Sequence, residues 1–109
     1  MSASQFTEPL GSGKLDSEYK VLCTPPSPKQ YDILTLLLTN NSLADVTVSL
    51  KFQISGVEKA WITNLTLIAG NTLDFLSAPV GLKYGDQILG KAGMNGSVDF
   101  NIFGKVQIQ

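Results

Sequence analysis

Histidine and arginine are both missing from this 109-residue chain. Without histidine there is no imidazole to act as general base or metal ligand, and no nucleophile–histidine pair can be assembled. Without arginine, bidentate clamping of a phosphate or carboxylate is excluded, since all eight basic residues are lysine. Charge of either sign is scarce. Charged residues make up 16% of the chain and the net charge is −1, so nothing draws it to nucleic acid or to an anionic lipid surface. Cysteine occurs once, at Cys23. An intrachain disulfide is therefore impossible, a zinc site lacks a ligand set, and a single cysteine at a strand end reads as a small apolar filler rather than a reactive thiol. No apolar run reaches the length of a membrane span. The N-terminus carries no signal-peptide stretch, and the expected place of synthesis is a cytoplasm.

The chemistry that remains is thin. Nine carboxylates are spread over turns and polar faces. Asp45 and Asp86 sit in loops, but without the dense acidic spacing of a calcium loop, and turn capping accounts better for both. Three N-x-S/T sequons, at Asn40, Asn64 and Asn95, read as composition in a chain without a secretion signal. No glycine-rich loop opens a helix, and no basic stripe with aromatics suggests single-strand binding. The expectation is a non-enzyme: no catalytic residue, no cofactor, no metal, no nucleic acid and no membrane partner.

What the chain does have is alternation. From 46 to 54 it reads VTVSLKFQI, with Val46, Val48, Leu50, Phe52 and Ile54 on one side and Thr47, Ser49, Lys51 and Gln53 on the other. That is the period of a strand with one dry and one wet face. Upstream, Leu34, Leu36 and Leu38 keep step, and Asn40-Asn41-Ser42 with Asp45 supplies turn chemistry. Residues 31–54 therefore read as a β-hairpin around which the rest is laid. Ile33 and Leu37 fall on the face opposite the three leucines; they are either covered within the protomer or line a subunit contact.

Around that unit the chain resolves into further short strands at 18–24, 60–68, 72–76, 87–91 and 98–108. The prolines at 25, 26 and 28 end the first of these and make 24–30 a rigid connector. Trp61 in the strand 60–68 reads as core rather than a sugar-stacking platform. Asn95-Gly96 gives a hairpin signal before the last strand. In that strand Phe103 interrupts the polar row of Asp99, Asn101, Lys105 and Gln107, and Gly104 follows it, so either a local bulge or an exposed interface Phe103 is implied. Ile62 shares the outward side of its strand with Asn64 and Thr66. Residues 1–17 are dominated by Ser, Gly and Pro and read as a flexible arm. It is either a frayed terminus or a segment ordered on a neighbouring subunit through Phe6 and Leu10. About seven strands with short turns and no helical periodicity define an all-β fold: one antiparallel β-sandwich at 18–109, jelly-roll or Ig-like.

The order of pieces carries a resemblance. The run YKVLCTPPSPKQYDILTLLLTNNSLADVTVSLKF, then LTLIAGNTLDF, then VGLKYGDQI, resembles small phage virion β-sandwich proteins. The shared pattern is a strand, a loop with a proline (Pro25), a strand closing on an Asn-Ser turn (40–42), an alternating strand, a polar-Gly-polar-Thr-Leu turn (69–73) and a Gly-Asp-x-Ile lead into a strand (85–88). It covers about residues 19–109. The resemblance implies a structural role in a virion, as capsid decoration, head–tail neck or fibre attachment, with the chain docked on copies of itself and on capsid, portal or tail. The residues expected at such contacts are Phe6, Leu10, Ile33, Leu37, Ile62 and Phe103. The alternative is a carbohydrate- or receptor-binding module of a tail or fibre, with Trp61, Tyr19 or Tyr84 as its aromatic platform.

Overall fold

The alternation of 46–54 becomes a strand, and so does most of the chain. The computed structural model describes residues 7–76 and 78–108. Among these the chain forms nine strands and no helix: β1 (Glu8–Lys14), β2 (Lys20–Cys23), β3 (Lys29–Asn40), β4 (Val46–Ile54), β5 (Val57–Leu67), β6 (Thr72–Asp74), β7 (Val80–Leu82), β8 (Gln87–Ala92) and β9 (Val98–Ile108). They make two sheets. The first has the order β1-β9-β3-β6, with β7 also paired to β3, and the second has the order β2-β8-β4-β5. The expected antiparallel sandwich is what forms, with β1 and β7 added to the seven strands read from sequence.

The pairing has a simple generator. β1 pairs β9, β2 pairs β8, β3 pairs β6 and β7, and β4 pairs β5, all antiparallel. The chain is thus one long folded ribbon with β4–β5 at its closed end and β1–β9 at its open end. Rolling the ribbon brings β9 against β3 and β8 against β4. This is the double-sheet jelly roll. The side chains rolled inside are Leu36 and Leu38 from β3, Val46, Val48 and Leu50 from β4, Ile88 from β8, and Val98, Phe100 and Ile102 from β9, with Leu67 and Leu82. Each such side chain removed from water contributes roughly 1.5–3 kcal/mol.

Two turns differ from the sequence reading. Residues 31–54 are not a hairpin, because β3 lies in the first sheet and β4 in the second. Both strands point their leucines and valines into the same core from opposite sides, which a hairpin within one sheet would not allow. The turn between them is held by Asn40, fully buried, whose Nδ2 donates to the carbonyls of Ala44 (2.9 Å) and Leu67 (2.8 Å). Its Oδ1 accepts from the Ser42 N–H and hydroxyl. Asn95-Gly96 likewise joins strands of different sheets, β8 to β9. A two-residue hairpin does form at β4–β5, where Ile54 faces Val57 and Ser55 and Gly56 both have positive φ (52° and 81°), as a type I′ turn requires.

The arm is corrected as well. Residues 8–14 are the edge strand β1, in register with β9 from Glu8↔Gly104 to Lys14↔Asp99, and Leu15 is fully buried in the core. Composition misled here because Gly11 is needed for packing. A Cβ at that position would meet the Leu22 carbonyl oxygen at 2.6 Å. Phe6 lies outside the described residues.

Ile33 is also inside, at 0% exposure, and not at a surface. A β-bulge inserts Leu34 between Ile33↔Gly104 and Thr35↔Phe103. The extra residue shifts the phase, so Ile33 and Leu36 share the inner face. Gly104 permits this, since a Cβ there would collide with the Asp32 carbonyl oxygen. Gly104→Ala should therefore destabilise the domain by about 2 kcal/mol, read as a shift in the urea midpoint, while Gly96→Ala, with open space around its Cβ, pays only the cost of its positive φ.

Candidate interaction surface

The interior holds little chemistry. Asp86 is buried, and its carboxylate accepts from the backbone N–H groups of Ser55 (3.1 Å) and Lys83 (3.0 Å). Asp45 accepts from the Ala69 N–H at 3.1 Å. Both carboxylates therefore act as loop clamps. Among the described residues, no group of three or more His, Cys, Asp or Glu side chains comes together to hold a metal ion. A shallow cavity of about 230 Å³ lies at the loop end of the sandwich, lined by Asp45, Val46, Thr47, Gly93 and Met94. It contains one charged side chain, already engaged. Cys23 is buried beside the core, and the loss of solvent pushes its thiol up to about 12.

The outer faces of the sheets carry more. On the first sheet, neighbouring strands set side chains in rows: Lys14, Asp99, Thr39 and Thr72; then Ser12, Asn101, Leu37 and Asp74; then Pro9, Phe103 and Thr35; then Lys105 and Asp32. Leu37 and Phe103 come together here as diagonal neighbours, each half-buried. Asp99 is neutralised by Lys14 at 2.8 Å and also accepts from Asn41. Among the described residues the hydrogen-bond donors to Asp32 and Asp74 are neutral: Gln107 Nε2 at 2.9 Å for Asp32, which also faces Lys105 across the ladder, and the N–H groups of Leu36 (3.3 Å) and Leu76 (3.1 Å) for Asp74.

The remaining contact residues read from sequence do not join them. Leu10 lies half-buried against the protein's own core, as does Ile62. Ile62 turns inward because β5 slips register twice against β4, between Leu65 and Ile62 and again between Ile62 and Ala60. Asn64 takes φ 52° at the first slip, where its N–H donates to Ser49 Oγ at 2.9 Å.

The second sheet shows a cluster that the strand pattern alone does not reveal. Its outer face places Tyr19 and Val21, at and before β2, beside Leu89 and Lys91 of β8 and Lys51 of β4. The ammonium groups of Lys51 and Lys91 lie 4.1 and 4.9 Å from the centroid of the Tyr19 ring. Lys51 also pairs with Glu58 at 3.0 Å. The outward alternation of Lys51 was visible in the sequence; its meeting with Tyr19 and Lys91 depends on β8 lying between β2 and β4. As for the other aromatics, Trp61 is half-buried and stacked on Phe52 (4.7 Å between centroids, 19° between planes), whereas Tyr84 is 63% exposed on the loop before β8.

No protein-family model matches the sequence, and no curated protein or solved structure matches it either.

The burial of Cys23 has a measurable outcome. A thiol-reactive reagent at pH 8 should leave Cys23 unmodified in the folded protein and modify it fully in denaturant. The linkage sign follows from the raised folded value. The protonated thiol contributes stability that is complete below the ordinary thiol range, and this contribution is lost as pH climbs from there toward 12. A Cys23→Ala variant should show a flatter decline of melting temperature over that alkaline window than the native chain.

Proposed function

We propose that the chain is a non-catalytic structural subunit of a bacteriophage virion, as a capsid decoration or head–tail neck component. It packs on neighbouring subunits through the outer face of its first sheet. The observation that carries this reading is the placing of Leu37 and Phe103, two large apolar side chains, side by side on the solvent side of a sheet. The resemblance of the turn and strand pattern to small phage virion sandwiches supports the class. So does the jelly roll, an architecture used by viral capsid proteins among others. Glycan binding is the weaker reading. Trp61 gives one ring face to Phe52 and Tyr19 lies against two ammonium groups, which leaves Tyr84 as the open ring.

Leu37 and Phe103 are already half-buried, so a contact that covers the rest is worth roughly half of the 1.5–3 kcal/mol of full burial, or several-fold in affinity for each and about tenfold or more for the two together. Particles purified from a lysate of cells carrying the gene should therefore contain the chain at a fixed stoichiometry. A Leu37→Asp/Phe103→Asp variant should retain its strand circular dichroism and drop out of those particles at least about tenfold. Quantitative mass spectrometry of the particle fraction decides the matter: a native chain confined to the particle-free supernatant would overturn the reading.

A further inference from the structure

We propose that the outer face of the second sheet receives the outer face of the first sheet of another copy, so that the sandwiches stack head to tail. The inference rests on reading the chain as an assembly subunit and names the surface that Leu37 and Phe103 meet.

Charge makes the first case. Lys91 has no carboxylate within 4 Å among the described residues, and it shares the Tyr19 ring with Lys51, which alone of the two has a counter-ion, Glu58. The centre of that face therefore carries one excess positive charge. On the first sheet Lys14 balances Asp99 and Lys105 faces Asp32 across the β3–β9 ladder, which leaves one excess negative charge, Asp74, held by the N–H groups of Leu36 and Leu76. Apolar area makes the second case. Leu37, Phe103 and Pro9 form a strip beside Asp74, and Tyr19, Val21 and Leu89 form one beside the lysines.

The same charges select the partner orientation. A two-fold contact of first sheet on first sheet would bring together two faces that each carry one excess negative charge, and second sheet on second sheet two faces that each carry one excess positive charge. Like charges at a contact disfavour both. Lateral pairing along the second sheet is blunted too, since β2 has four residues and β5 is broken by two register slips. Face-on-face stacking of unlike faces remains, and such heterologous contacts close into rings or continue as stacks.

The test is sedimentation equilibrium of the full chain from micromolar to millimolar concentration, at low and at molar salt. The average mass should rise above 11.7 kDa with concentration and fall back at high salt, where the lysine–carboxylate attraction is screened. Lys91→Glu and Asp32→Lys should each weaken association at least about fivefold, with circular dichroism unchanged. An equimolar mixture of the two variants, and a chain carrying both substitutions, should regain it, because each then offers opposite charges across the contact. A mass fixed at 11.7 kDa throughout overturns the inference, and so does weakening without recovery in the mixed or doubly substituted samples; an acidic partner other than a second copy would give the fixed mass. Monomeric behaviour of a chain that is nonetheless found in particles would count against stacking alone. Stacking by a chain absent from particles would count against the virion reading alone.

Discussion

The ladder between β3 and β9 is the constraint on which the rest of this protein depends. It runs from Lys29↔Ile108 to Asn40↔Val98 and joins segments more than half the chain apart. Without it the folded ribbon has pairs but no enclosure, since each β-pair alone exposes its apolar face. With it, β1, β9, β3 and β6 become one sheet, and Ile33, Leu36 and Leu38 face Val48, Leu50 and Ile88 across a closed interior. The bulge at Leu34 is the adjustment that lets so long a ladder keep its apolar side chains inside, and Gly104 is the residue opposite it that leaves the room.

The fold class was legible because its signal is local. Val46, Val48 and Leu50 alternate with polar residues in any context that forms a strand, and the absence of helical spacing left little else to build. Sheet membership was not legible, because a run such as Asn40-Asn41-Ser42 suits a hairpin and a crossing between sheets equally well. What decides between them is the burial of the Asn40 side chain against the Leu67 carbonyl, a contact between distant positions. β1 escaped for a related reason: an edge strand with one fully buried neighbour, Leu15, needs glycines more than it needs hydrophobic residues.

The candidate surface was half visible. Leu37 and Phe103 stand out in sequence as apolar residues on an otherwise polar row, and the structure sets them side by side. Ile33 and Ile62 failed because the period of two holds only between bulges, and each lies next to one. Tyr19 and Lys51 could each be read as outward-facing in the sequence, but their meeting with Lys91 follows only from the order β2-β8-β4. Since both outer faces mix apolar and charged side chains, each is wettable in the isolated subunit.

The distance spanned by the β3–β9 ladder also governs how the molecule comes into being. On the ribosome, β3 emerges well before β9, so the leucine-rich strand waits with that edge unpaired until the segments between them and β9 itself have been synthesised. Contacts of such high sequence separation fold slowly, and an unpaired strand edge is open to the wrong neighbour in the interval. Pairing of β9 with β3 thus covers the sheet edge that stands open in that interval.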